Sequence, residues 1–413
     1  MTPPGTRSDQ TLALARQGYR WAARLRGGRE AVPCRLLGRR AVLVGGPAGV
    51  RRFYDDRLQR HGAFPAAIRL VLFGPGAVHG LDDEAHHARK AIFVGLLDAR
   101  AVQRLRAVAA EEWQNALDAW APGERRTVWP LAVDVIGRAV LSWAGVRCSR
   151  SEVGHRSRQL AAVVDGFARP VRPYLRAVAD RRALDRWAAG LVRDVREGRS
   201  AAPEGSPLVV IARATDPSSR LLPARVAGVE FLNVVRPTVA SSWFVAFAAL
   251  MLAERPDWRA RMDDPLMRYA FAQEVRRHFP FVPALVARTR RAQDVLGSPL
   301  PAGGLVVLDV YGTNHDPQAW DEPDRFLPER FLDRTVRPDS LVPQGGGALA
   351  TGHRCPGEDV VLAMIDAACQ ALAERAWTLP EQDLDWPASP LPTRPRSGVV
   401  LVREREPVEV GRG

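Results

Sequence analysis

The chain predicts a mainly α fold with minor β, organised as one large domain over residues 1–413. Three observations carry that reading. Between residues 83 and 278, long stretches repeat apolar residues at helical spacing, with breaks at Pro122-Gly123 and Phe279-Pro280. Short β-branched runs are confined to the start of the chain and its last third. No shift in composition divides the two regimes, and a hydrophobic content of 46% suits a chain with a sizeable core.

Residues 9–27 predict a helix, with Leu12, Leu14, Tyr19, Trp21 and Leu25 buried. Pro33–Leu37 and Arg40–Val44, split by Gly38, predict a β-hairpin. Pro47–Gln59 predicts a helix with proline in its first turn. A largely helical stretch runs from Asp83 to Trp120, carrying His86, His87, Arg89 and Lys90 near its start. Helices follow at 127–145, 151–169, 173–197, 222–254 and 264–278, with Ala201–Pro207 as a flexible connector. Short strands come next at 286–292, 295–300 and 305–309. Asp321–Phe331 is a proline-rich meander with no regular element expected. A loop at 344–357 leads into a helix rich in Val, Leu, Ala and Met, and proline-interrupted strands close the chain at 384–405.

The net charge of +13 raises nucleic acid as a partner, but the basic residues are scattered among acids and form no long run. Lys90 is the only lysine, so the balance reflects arginine usage, and no nucleic-acid partner is expected. No run of about twenty apolar residues marks an integral membrane segment. The first ten residues lack a signal-peptide pattern, and the expected location is cytoplasmic. Cys34, Cys148, Cys355 and Cys369 match neither a zinc motif nor a disulfide framework. Three of them sit in apolar runs and read as small hydrophobes.

Cys355 is different. It stands in Gly345-Gly346-Gly347-Ala348-Leu349-Ala350-Thr351-Gly352-His353-Arg354-Cys355-Pro356-Gly357-Glu358, just before a helix. A helix N-terminus favours a thiolate, and glycines let backbone approach something bulky. A lone thiolate there suits a haem iron ligand, and a free cysteine at a turn is the plainer alternative.

Glu274 and Arg277 share a helix face, and Pro328-Glu329-Arg330-Phe331 stands in the meander. The long helix at 222–254 contains Glu230-Phe231-Leu232-Asn233-Val234-Val235-Arg236-Pro237-Thr238-Val239-Ala240. Proline there removes an N–H and kinks a helix. Arg236 lies among apolar residues, where a guanidinium demands an anionic partner and suits a carboxylate.

In this order the motifs resemble the haem-thiolate cytochromes P-450, and Arg236-Pro237 resembles the fatty-acid peroxygenase and decarboxylase branch. Ordinary members carry an acid–threonine pair at that point. The likeness extends over Phe53-Tyr54-Asp55, Leu72-Phe73-Gly74, Gly80-Leu81-Asp82, Arg89-Lys90, Trp143-Ala144-Gly145-Val146, Tyr311-Gly312-Thr313-Asn314-His315-Asp316-Pro317 and Pro343-Gln344-Gly345-Gly346-Gly347.

The resemblance implies haem b (iron protoporphyrin IX) between the long distal helix and the Cys-loop helix, with Cys355 as axial ligand. It implies a buried triad of Glu274, Arg277 and Arg330 behind the haem. It implies hydrogen peroxide as oxidant with no reductase, and a long-chain fatty acid whose carboxylate pairs with Arg236. The products expected are 2- or 3-hydroxy acids, terminal alkenes, or both. His79 stands where hydroxylases often carry Gln and alkene-forming enzymes His, so it bears on that choice. Phe73, Phe64 and Ala240 are candidate pocket walls, and His86, Lys90 and His353 candidate propionate partners. The alternatives are a reductase-dependent monooxygenase of the same fold, a non-enzymatic haem and fatty-acid binding protein, and a basic module without haem.

Overall fold

A computed structural model describes residues 8–169, 171–279, 281–332 and 335–404. Pro280 and residue 405, on which two of the expected boundaries fall, lie outside the described residues. The expected first helix is two, α1 (Thr11–Gln17) and α2 (Tyr19–Arg26), because Gly18 between them takes φ +49°. A Cβ there would stand 1.7 Å from the Ala388 carbonyl oxygen, so a passing loop requires glycine at the break. Tyr19 and Trp21 are buried as expected and Leu14 and Leu25 half-buried, but Leu12 is 69% exposed.

β1 (Ala31–Leu36) and β2 (Arg39–Val44) form the hairpin, joined by Leu37 and Gly38, both at positive φ. α3 (Gly46–Phe53) stops earlier than expected, and β3 (Leu58–Gln59) is a strand. α4 (Ala66–Leu72) and a 3-10 turn at Val78–Gly80 follow, neither expected. The helical stretch after residue 83 divides into α5 (Asp83–Leu96) and α6 (Ala99–Asp118), where Asp98 caps α6 by accepting from the Ala101 N–H.

β4 (Arg125–Thr127) leads to α7 (Val128–Trp143), α8 (Arg150–Gly166) and α9 (Arg172–Arg196). The expected connector ends in a buried helix, α10 (Pro207–Ala212), started by Pro207. α11 (Ala224–Glu254) is the central helix and packs against α7, α9 and α15. It is long and apolar enough to cross a membrane, yet 89% of its most apolar window is buried inside the fold. It is a core helix. Pro237 does not interrupt it.

α12 (Pro256–Arg259) and α13 (Pro265–His278) precede β5 (Ala284–Thr289), β6 (Gln293–Val295), β7 (Ser298–Leu300) and β8 (Leu305–Asp309). The main sheet runs β1-β2-β8-β5-β3, with β2 and β8 parallel and the other pairs antiparallel. α14 (Val310–Asn314) follows, and the meander carries one 3-10 turn, Pro328–Phe331. α15 (Glu358–Ala373) begins three residues after Cys355. At the end of the described chain only β9 (Trp377–Thr378) and β10 (Val400–Arg403) are strands. Pro387, Pro390, Pro392 and Pro395 supply no ladder N–H between them. The main apolar core gathers residues of α5 to α11, α13 and α15, and two smaller clusters flank the sheet.

Candidate active site

Cys355 sits at the mouth of α15. Its own N–H donates to the Gln344 carbonyl at 3.2 Å. Its Sγ receives the Gly357 N–H at 3.4 Å and the Gln344 Nε2–H at 3.6 Å. The loop lies flat on Tyr54, since a Cβ on Gly347 would come within 2.8 Å of the Tyr54 ring. Burial pushes the thiol up, against the Gly357 N–H, Lys90 and Gln344, while Glu358 raises it further. The backbone N–H at the helix end favours the thiolate as expected while enclosure opposes it, and a bound metal deprotonates a thiol outright. The other cysteines are free; Cys34 and Cys369 are buried, and Cys148 packs against the main core.

Behind this loop, Glu274 takes Arg277 in a two-pronged pair at 2.7 Å on each oxygen. Arg330 Nε approaches the same carboxylate at 3.3 Å, and the Leu327 N–H donates to it at 2.8 Å. Arg277 also donates to the carbonyls of Asn314, Pro323 and Arg325. All three charged side chains are buried. Apart from its 3-10 turn the meander is irregular, and these arginines hold it in place.

On the other side, α11 presents Arg236. Its guanidinium is buried, its Nη2 donates to Asn233 Oδ1 at 3.2 Å, and among the described residues its Nε has no acceptor. Burial, and then Arg181, bring its pKa down to about 9. Glu230, one turn before Asn233, is buried too. It accepts from Asn233 at 3.1 Å, from Arg89 at 2.6 Å and from the Val78 N–H at 2.8 Å. Glu230 therefore ties α11 to α5 and to the turn that carries His79. The sequence reading missed Glu230, Asn233 and Arg89 in this role. The signal was present, because 230, 233 and 236 step along a helix at three-residue intervals.

His79 stacks on Phe73 with ring centroids 4.0 Å apart, and Phe64 meets Phe73 edge-on at 5.6 Å. Arg236 stands 5.9 Å from the Phe73 ring centroid. Phe64, Phe73, His79 and Arg236 thus share one neighbourhood. Ala240 is buried one turn beyond Arg236 on the same helix. Pro237 is the one residue between Ala227 and Leu250 that is only half-buried. His79 Nδ1 is buried and has no partner among the described residues, and burial, with Arg236 next, holds the imidazole neutral, well below its ordinary range.

His86 and His353 stack at 3.8 Å, and His353 Nε2 lies 3.6 Å from Asp82 Oδ1. Burial lowers both, His86 to about 3. Lys90 donates to the Arg354 carbonyl. Nearby, Arg60 lies over the rings of Phe53 and Tyr54 at 4.3 and 5.5 Å, and the buried Tyr54 hydroxyl meets the Gly346 backbone of the Cys loop. Burial brings Arg60 down to about 10. Neither Arg60 nor Tyr54 was singled out as a ligand from the sequence. These residues fit a haem. A thiol with two N–H donors faces one side, an arginine lacking a carboxylate faces the other, and Lys90, the histidine pair and Arg60 offer cationic and N–H partners for propionates.

Comparison with known proteins agrees. The family model described as cytochrome P-450 matches residues 249–380. Among solved structures, a variant of cytochrome P-450SP alpha (CYP152B1) gives a TM-score of 0.92 at 36% identity, over 96% of this chain and 98% of that one. Cytochrome P-450EX alpha (CYP152N1) with myristic acid gives 0.91 at 34%, over 95% and 96%. A variant of cytochrome P-450 OleT in complex with arachidonic acid gives 0.92 at 30%, over 97% and 98%. A putative cytochrome P-450 138 of Mycobacterium tuberculosis is 22% identical over 78% of this chain and 76% of its own. Cytochrome P-450 71A8 of Mentha piperita is 31% identical over 28% of this chain, and the match spans 23% of that protein. The chain belongs to the cytochrome P-450 family, and within it to the fatty-acid peroxygenase branch.

Proposed function

We propose that this chain, one cytochrome P-450 domain carrying haem b, hydroxylates long-chain fatty acids at the α or β carbon or decarboxylates them to terminal alkenes. It uses hydrogen peroxide without a reductase, in the cytoplasm. The observation that carries this reading is Arg236, a buried guanidinium whose recorded partner is a neutral amide. An unpaired buried cation is costly, and a substrate carboxylate is the group that completes it.

Haem, when bound, supplies an iron that takes up peroxide and oxidises a nearby C–H bond. Cys355 would hold that iron, with the Gly357 and Gln344 N–H groups on its sulfur. Asn233 fixes the Arg236 fork and leaves Nε for a carboxylate oxygen. The anchored carboxylate then sets the α and β carbons at a fixed reach, a proximity effect. It also brings an acid–base oxygen to a stretch of α11 that has Arg236-Pro237 in place of an acid–threonine pair. Phe64 and Phe73 wall off water on the approach. His79, neutral, keeps a ring nitrogen for a hydrogen bond toward the substrate.

Purified protein given hydrogen peroxide and a saturated fatty acid should yield 2- or 3-hydroxy acids, terminal alkenes, or both, by mass spectrometry. No such product across chain lengths would overturn the proposal. Turnover only with dioxygen and an electron donor would favour a reductase-dependent monooxygenase. Haem and fatty-acid binding without product would favour a non-enzymatic binder.

A further inference from the structure

Arg276 is the neighbour of the triad arginine and takes no part in the triad. It is 1% exposed, and each arm of its guanidinium meets a different acceptor. Nη1 donates to Gln273 Oε1 at 2.8 Å, within α13. Nη2 donates to Glu358 Oε2 at 2.9 Å, at the first residue of α15. Nε donates to Gln344 Oε1 at 2.8 Å, in the Cys loop. Glu358 is gripped in turn by Arg354, the residue before Cys355, at 2.7 and 3.1 Å.

The Gln344 carboxamide is the informative member. Its two ends have nearly the same shape and opposite hydrogen-bonding sense. Turned one way, it presents Nε2–H to Cys355 Sγ; turned the other, it presents an oxygen lone pair to the same sulfur. Arg276 can only donate. With Nε–H fixed on the amide oxygen, the nitrogen end must face Cys355, and there it lies at 3.6 Å. The Arg276 charge is met by Glu358, so its influence on the sulfur runs through the orientation of this amide more than through its field.

We infer that Arg276 is a positioning residue that sets the electron donation of the Cys355 thiolate by holding Gln344 with its N–H toward the sulfur. This rests on Cys355 being the haem ligand. Hydrogen bonds to a ligating sulfur draw off electron density and raise the reduction potential of the iron. Among the described residues Sγ has two recorded donors, the Gly357 backbone and this side chain. The backbone donor is fixed by the loop, whereas the side-chain donor depends on Arg276.

The test is a double-mutant cycle on the haem-loaded enzyme, reading the ferric/ferrous midpoint potential and the position of the ferrous–CO Soret band. Gln344→Leu should lower the potential. Arg276→Lys keeps the charge but cannot span three acceptors, and should shift both readouts in the same sense. In the Gln344→Leu background, Arg276→Lys should add no further shift. A wild-type potential in Arg276→Lys, or an equal shift in both backgrounds, would sink the proposal. Should the lysine variant not fold, Arg276→Met with Glu358→Gln removes both charges together and faces the same two criteria. A Cys355→Ser protein with unchanged potential and CO spectrum would remove the ligand assignment itself, separately from the role of Arg276.

Discussion

Arg236 concentrates the chemistry of the site in one side chain. It is buried and lowered toward 9, and it lacks an acceptor for Nε. A bound carboxylate gives Nε its acceptor and, as a counter-charge, restores the guanidinium's pKa inside the buried site. Arg236→Ala should therefore cut peroxide-driven fatty-acid turnover by about a hundredfold or more, the scale of a lost acid–base group. It should also weaken fatty-acid binding, read as the substrate-induced Soret shift. Unchanged binding and turnover would remove the anchoring role. His79 poses a different question, because its imidazole is neutral and one nitrogen is unpartnered. In His79→Gln the alkene fraction of the products should fall several-fold while total turnover stays within about tenfold. A constant product ratio would detach His79 from that choice. Arg236 was legible in the sequence as a guanidinium inside an apolar run. Gln344 and Arg276 were not legible as partners, because they stand 68 residues apart and meet only when α13 and the Cys loop pack.

At the scale of elements, α11 carries the substrate end of the site and pays for it with Pro237. A proline in a helix interior costs roughly 3 kcal/mol relative to alanine, yet the helix continues through it. The missing N–H leaves the Asn233 carbonyl without its helical donor, next to the side chain that fixes Arg236. Pro237→Ala should raise the thermal midpoint and at the same time lower fatty-acid turnover by shifting Asn233 and Arg236. A variant both more stable and fully active would show that proline is incidental there. The long helices were readable because their apolar faces repeat. The breaks were harder. Gly18 is explained by a backbone segment at residue 388, far along the chain, and α10 by burial of a short apolar run. The meander is irregular as expected except for its 3-10 turn at Pro328–Phe331. Its order comes from the carbonyls that Arg277 and Arg330 collect, which no local pattern reveals.

At the scale of the whole molecule, the fold stores neutral histidines behind the haem side as well as in it. His278 and His315 lie 5.3 Å apart between α13, α14 and the meander, facing Arg277 and Arg330. Burial lowers both, with His315 next to Arg277 and His278 next to His315, and it takes His315 to about 3. The sign follows from linkage. The unfolded chain protonates these histidines below roughly 6.5, while the native state leaves them neutral. Their contribution is present above that pH and is lost as pH falls from about 6.5 toward 3. Each neutral histidine costs about 1.4 kcal/mol per pH unit in that window. Buried acids whose pKa is raised, such as Asp309 and Glu230, act in the opposite sense, but equally in wild type and variant. Denaturation of the haem-loaded enzyme at pH 7.5 and 5.5 should thus show a loss of stability that shrinks in His278→Phe with His315→Gln, by about 3 kcal/mol for the pair. A variant with the same loss between the two pH values would place the acid sensitivity elsewhere, leaving the stacked His86 and His353 beside the Cys loop as the next groups to replace.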